Sequence, residues 1–118
     1  MLTGIVPAQV NTLSHLTSIS LWGNRITGVD AAAFSGLTGV TEIHLNGNRI
    51  TALDPMTFSG LTGLQNLGIG SNWLTALPAT IFNGLSSLNT LYVAYNDISR
   101  LAAGTLSGLS SLSSLNMY

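Results

Sequence analysis

Cysteine is absent from the 118-residue chain, which excludes a disulfide framework and a thiolate metal site. Charge is scarce as well. Three Arg, no Lys and four Asp/Glu leave only 6% of residues charged, against roughly a quarter in ordinary soluble domains. So few cations cannot form a basic patch, and a nucleic-acid partner, whose binding rests on phosphate neutralisation, is not expected. No apolar run approaches the roughly 20 residues of a membrane span, and no Lys/Arg-flanked apolar segment at Met1 reads as a signal peptide. Membrane insertion of this segment is therefore not expected. Asn-x-Ser/Thr glycosylation acceptors are missing too. What the chain does have is apolar residues, at 46%, enough for one continuous core. Its solubility must rest on Ser, Thr, Asn and Gly, which protect a surface weakly against self-association.

The apolar residues recur at a fixed interval of 24. Leu16, Val40, Leu64, Leu88 and Leu112 form one column; Ile19, Ile43, Leu67, Leu91 and Leu115 a second; Leu21, Leu45, Ile69, Val93 and Met117 a third. Asn24, Asn48, Asn72 and Asn96 follow at the same interval. Further columns run through Ile26/Ile50/Leu74/Ile98, Val29/Leu53/Leu77/Leu101, Phe34/Phe58/Phe82/Leu106 and Leu37/Leu61/Leu85/Leu109. The chain divides into a partial unit over 1–15, repeats over 16–39, 40–63, 64–87 and 88–111, and a partial unit over 112–118, all within one domain.

Each column has a physical reading. Ile19 and Leu21 alternate with Ser18, Ser20 and Trp22, the period of a strand with one buried face. Stacked units bring such strands together as a parallel sheet at about 4.8 Å spacing. The Asn follows the strand where the chain turns inward, and its amide can satisfy backbone groups of adjacent turns that water cannot reach. Asp30 and Asp54 precede segments that read as short helical turns, with Asp as N-cap and Pro55 in the first position. The Phe column fills the convex side. The expected architecture is an α/β repeat solenoid: a short-stranded parallel sheet on the concave face, loops or short helical turns on the convex one.

The pattern Leu-x-x-Leu-x-Leu-x-x-Asn-x-Leu-x-x-Leu-x-x-x-x-Phe-x-x-Leu resembles the typical 24-residue leucine-rich repeat of Toll-like receptors and variable lymphocyte receptors. The resemblance covers essentially the whole chain. It implies a horseshoe arc whose concave sheet binds other molecules, most often proteins, and a secreted or cell-surface location. Leu106 departs from the Phe column, and the cysteine-bearing caps common in extracellular members are missing. Both boundaries cut through a repeat. That predicts an internal segment of a larger receptor-like protein, with uncapped ends open to self-association.

Function is expected where the repeat leaves a residue free. The exposed strand rows are Ser18/Glu42/Asn66/Thr90/Ser114, Ser20/His44/Gly68/Tyr92/Asn116 and Trp22/Asn46/Gly70/Ala94/Tyr118. Beside them lie Gly23/Gly47/Ser71/Tyr95 and, past the Asn column, Arg25/Arg49/Trp73/Asp97. From these rows Trp22, Glu42, His44, Asn46, Gly68, Gly70, Trp73, Tyr92 and Tyr95 are the expected partner-binding residues, taking a protein or peptide ligand. The aromatics supply large contact area with few rotors. Gly68 and Gly70 leave one strand without exposed side chains. Two strand spacings predict a slot about 10 Å wide between His44/Asn46 and Tyr92/Tyr95. The whole face amounts to a few hundred Å² by strand dimensions, below the roughly 800 Å² per partner of a standard interface.

Other functions fit less well. Ser20, His44 and Glu42 could lie together like a triad, but an open sheet face offers no water-excluding recess or oxyanion hole, so no enzyme is expected. His15 falls in the turn before the first strand, far from His44, so a metal pair is not expected, nor is any cofactor. An adhesion or spacer role is the principal alternative. A lesser one is ice or polysaccharide binding through Thr3/Thr27/Thr51/Thr75/Ser99 and Thr38/Thr62/Ser86/Ser110, although such hydroxyls are also the ordinary filler of solenoid turns.

Overall fold

The computed structural model describes residues 1–117. Its strands are β1 (Thr3–Val6), β2 (Ser18–Ser20), β3 (Arg25–Val29), β4 (Glu42–His44), β5 (Asn66–Gly68), β6 (Thr90–Tyr92) and β7 (Ser114–Asn116). Strands β2, β4, β5, β6 and β7 form one parallel sheet in chain order. The register follows the 24-residue interval: Ile19 pairs with Ile43, Ile43 with Leu67, Leu67 with Leu91 and Leu91 with Leu115. One face of β2, β4, β5 and β6 thus enters the core, where Ile19, Ile43, Leu67 and Leu91 are buried, while Leu115 of the last strand, β7, is exposed. The backbone ladder continues past the strands. Leu21 N–H donates to His44 O at 2.8 Å and Gly23 N–H to Asn46 O at 2.9 Å, and later turns repeat both bonds.

The asparagine column ties each turn to the one before it. Asn48 Oδ1 accepts from Ile26 N–H at 3.0 Å, while its Nδ2 donates to Leu21 O at 2.9 Å and Leu45 O at 3.0 Å. Asn72 accepts from Ile50 N–H at 3.1 Å and donates to Leu45, Ile69 and Gly70 carbonyls. Asn96 repeats the arrangement with Leu74, Ile69 and Val93. One amide therefore closes a turn and bridges to its neighbour. Among the described residues no buried side-chain nitrogen or oxygen lacks a partner.

On the convex side Phe34, Phe58 and Phe82 are all fully buried, and the Phe34 and Phe58 rings stack with centroids 6.2 Å apart at 9°. The expected helical turns are hydrogen-bonded turns rather than helices. Asp30 Oδ1 accepts from Ala32 N–H at 2.9 Å and Asp54 Oδ1 from Met56 N–H at 2.8 Å, so both carboxylates do cap. Each turn ends quickly because Gly36, Gly60 and Gly84 adopt φ of 77–80°, which reverses the chain before a second helical turn can form. Helix is confined, among the described residues, to a 3-10 segment at Ala8–Thr12.

Two features were not anticipated. Strand β1 pairs in parallel with β3 in a separate two-stranded sheet beyond the asparagine bend. Later turns keep the bond that opens this pairing, as in Arg49 N–H to Ile26 O at 2.8 Å. The column Ala33/Thr57/Ile81/Thr105 is also buried, and each Thr hides its hydroxyl by donating to a carbonyl three residues back.

Candidate functional site

The concave face is built from the outward side chains of the five-stranded sheet. Glu42, His44, Asn46, Asn66, Thr90 and Tyr92 are half-buried there, and Ser18, Ser20 and Trp22 are exposed. At its centre Glu42 takes two long contacts of 3.4 Å, from His44 Nε2 and Asn66 Nδ2. Ser20 lies in register with His44, yet the imidazole is turned to Glu42 rather than to the Ser20 hydroxyl. Among the described residues no three His, Cys, Asp or Glu side chains converge on a cation position. Two cavities, of about 330 and 210 Å³, lie at the last and first turns rather than on this face.

The slot expected over Gly68 and Gly70 is not open. Both glycines are buried. The Asn46 amide lies over Gly68, where an added Cβ would come within 2.5 Å of Nδ2, and Asn46 Oδ1 accepts from Gly70 N–H at 2.8 Å. The Tyr92 ring lies over Gly70, where a Cβ would stand 2.2 Å from Cε1 and 2.9 Å from the Ala94 carbonyl oxygen. The glycines make room for neighbouring side chains of this chain, and the face is a filled patch backed by bare strand. Gly70→Ala should accordingly displace Tyr92 and cost about 1–3 kcal/mol by overpacking. Urea denaturation would measure it, and a variant as stable as the parent would reopen the slot.

The column beside the sheet needs a left-handed backbone. Gly23 and Gly47 supply φ of 71°, but Ser71 and Tyr95 occupy the same position at φ of 52° and 60°. An L-residue there costs about 1–2 kcal/mol relative to ordinary backbone. Tyr95 bears that strain while 71% exposed, so burial of its ring does not offset it. Strain kept at an exposed aromatic residue is a pointer to use.

Trp22 and Trp73 are likewise 69% and 54% exposed. Trp73 is not isolated: the Arg49 guanidinium sits 5.6 Å from its ring centroid. Arg49 and its counterpart Arg25 are absent from the residues expected to bind, although Trp73 of the same flanking row is among them for its aromatic area. The repetition of Arg one turn apart was the available cue. The structure thus gathers Glu42, His44, Asn46 and Tyr92 on one face, sets Gly68 and Gly70 beneath it, and places Trp22, Tyr95 and Trp73 along its edge. Tyr118 lies outside the described residues.

The leucine rich repeat family model matches residues 14–74 and 62–118. No curated protein matches the sequence. Among solved structures, a chain of the Toll–Spatzle complex, described as a molecular hub in Drosophila development and innate immunity, superposes with a TM-score of 0.74 at 21% identity over 95% of this chain. A chain of the TLR13–ssRNA13 complex gives 0.77 at 22% identity over 99%, and the leucine-rich repeat domain of APL1B 0.79 at 23% over 94%. The chain spans only 18%, 20% and 33% of the length of those three chains. The 24-residue columns, the asparagine ladder and the family match over residues 14–118 agree: this chain belongs to the leucine-rich repeat family.

Proposed function

We infer that this solenoid is a protein-recognition module that binds a protein or peptide through its concave face and the aromatic edge beside it. The observation that carries the reading is the contrast between columns. Core positions are nearly uniform from turn to turn, while Trp22, Glu42, His44, Asn46, Tyr92, Tyr95 and Trp73 differ from their counterparts and stay accessible. Gly68 and Gly70 serve by letting Asn46 and Tyr92 lie flat. Binding rather than catalysis suits an unrecessed sheet face. The patch is small for a complete interface, so the reading includes a larger receptor-like or surface protein to which this arc contributes part of a site. Membership of the family supports a secreted or cell-surface setting, and the Toll–Spatzle complex is an example of a similar fold engaged with a protein.

The test is the double variant Trp22→Ala/Tyr95→Gly, used beside the parent as bait for partners. Two exposed aromatic anchors lost should lower partner affinity by about tenfold or more. A spacer or adhesion solenoid would be indifferent to both changes, and equal recovery by the two baits would favour that role.

A further inference from the structure

Two of the chain's three arginines, Arg25 and Arg49, stand at the same position of consecutive turns, and there is no lysine. Turns repeat at about the strand spacing of 4.8 Å, which sets two like charges side by side at a cost. No ion pair among the described residues neutralises them. Among the described residues the one ion pair is His44–Glu42, and neither guanidinium donates a hydrogen bond to another described residue. Arg49 instead rests over Trp73 at 5.6 Å, a contact that limits its rotamers and leaves its charge unpaired. Trp73 is itself 54% exposed, so the indole that Arg49 rests on is open to a partner.

We propose that Arg25, Arg49 and Trp73 form a docking edge for an acidic segment of the protein partner, carboxylates meeting the arginine pair and an adjacent apolar side chain covering Trp73. The guanidinium fork matches a carboxylate in two parallel bonds, and a pre-positioned Arg49 gives up less freedom on forming them. Phosphate has the same local chemistry, but a nucleic acid needs a track of cations along its backbone. Beyond this pair the chain offers only Arg100, and its formal net charge is −1. Two arginines, one of them resting on an exposed indole, fit a short acidic and apolar peptide. The inference builds on the protein-binding reading above and specifies the partner's chemistry.

The probe is a fluorescent peptide of alternating Asp and Phe, compared by anisotropy with its Asn and Phe counterpart and with a single-stranded RNA. The acidic peptide should bind more tightly than the neutral one, weaken with added salt, and lose about tenfold in Arg25→Gln/Arg49→Gln, two exposed ion pairs' worth. Both substitutions are at exposed positions and leave the core intact. Arg49→Lys should lose part of that affinity, since a point charge cannot reproduce the fork. Absence of acidic-peptide binding, equal binding of the neutral peptide, tighter binding of RNA, or an unchanged double variant would each overturn the proposal. The concave-face reading is judged separately by Trp22→Ala/Tyr95→Gly, so failure of one does not mask the other.

Discussion

Phe58→Ala should remove about 3–5 kcal/mol of stability, the cost of deleting a fully buried aromatic ring and leaving its cavity. Phe58 has no exposed surface and stacks on Phe34 at 6.2 Å, with Phe82 at the same position of the next turn. Its loss ends a stacked pair worth about 0.5–1.5 kcal/mol beyond area burial. Each repeat contacts only its neighbours, so a hole in the central turn weakens the interfaces on both sides. Urea unfolding followed by circular dichroism measures the change, and a fall in the slope of the transition would reveal that the two halves had uncoupled. A loss under about 1 kcal/mol would mean that the Phe column packs far more loosely than its burial states.

The second large effect belongs to the asparagine ladder. Asn72→Ala leaves the buried Ile50 N–H without its acceptor and strips a donor from the Leu45, Ile69 and Gly70 carbonyls. An orphaned buried group costs about 1–3 kcal/mol, so the variant should lose about 2–4 kcal/mol in all. Asn24 is the internal control. Its amide accepts from Leu2 N–H at 2.9 Å and donates to Leu21 O at 3.1 Å, but Leu2 is exposed and water can replace the first bond. Asn24→Ala should therefore cost well under half as much. Equal losses at the two sites would show that burial does not set the strength of the ladder.

These outcomes depend on columns that a 24-residue interval makes visible. Ile19, Ile43, Leu67 and Leu91 announce a parallel sheet in register because one side chain in two must face the core. Asn48 and Asn72 announce the ladder because an amide can both donate and accept at that bend. Less was legible wherever a side chain's direction matters more than its position. The absence of Cβ at Gly68 and Gly70 marks space without saying that Asn46 and Tyr92 fill it. Tyr95 reads as an exposed aromatic, but its left-handed backbone follows only from Gly23 and Gly47 at the same position of earlier turns. The β1–β3 sheet was hidden because Arg25–Val29 alternates poorly, with Gly28 interrupting its pattern. Arg25 and Arg49 stand in a flanking row but are not among the expected binders, because repetition over two turns is a faint periodic signal.

The division of labour between columns has a direct test in a single protein. Trp22→Ala/Tyr95→Gly alters two exposed positions of irregular columns and no core residue. Replacing Tyr95 with Gly relieves backbone strain of about 1–2 kcal/mol against about 0.5–1 kcal/mol of added chain entropy. Thermal melting and partner affinity should be measured on the same preparation. A melting temperature equal to or above the parent's, together with about tenfold weaker binding, is the predicted result; a destabilised variant that binds its partner as well as the parent would contradict the account.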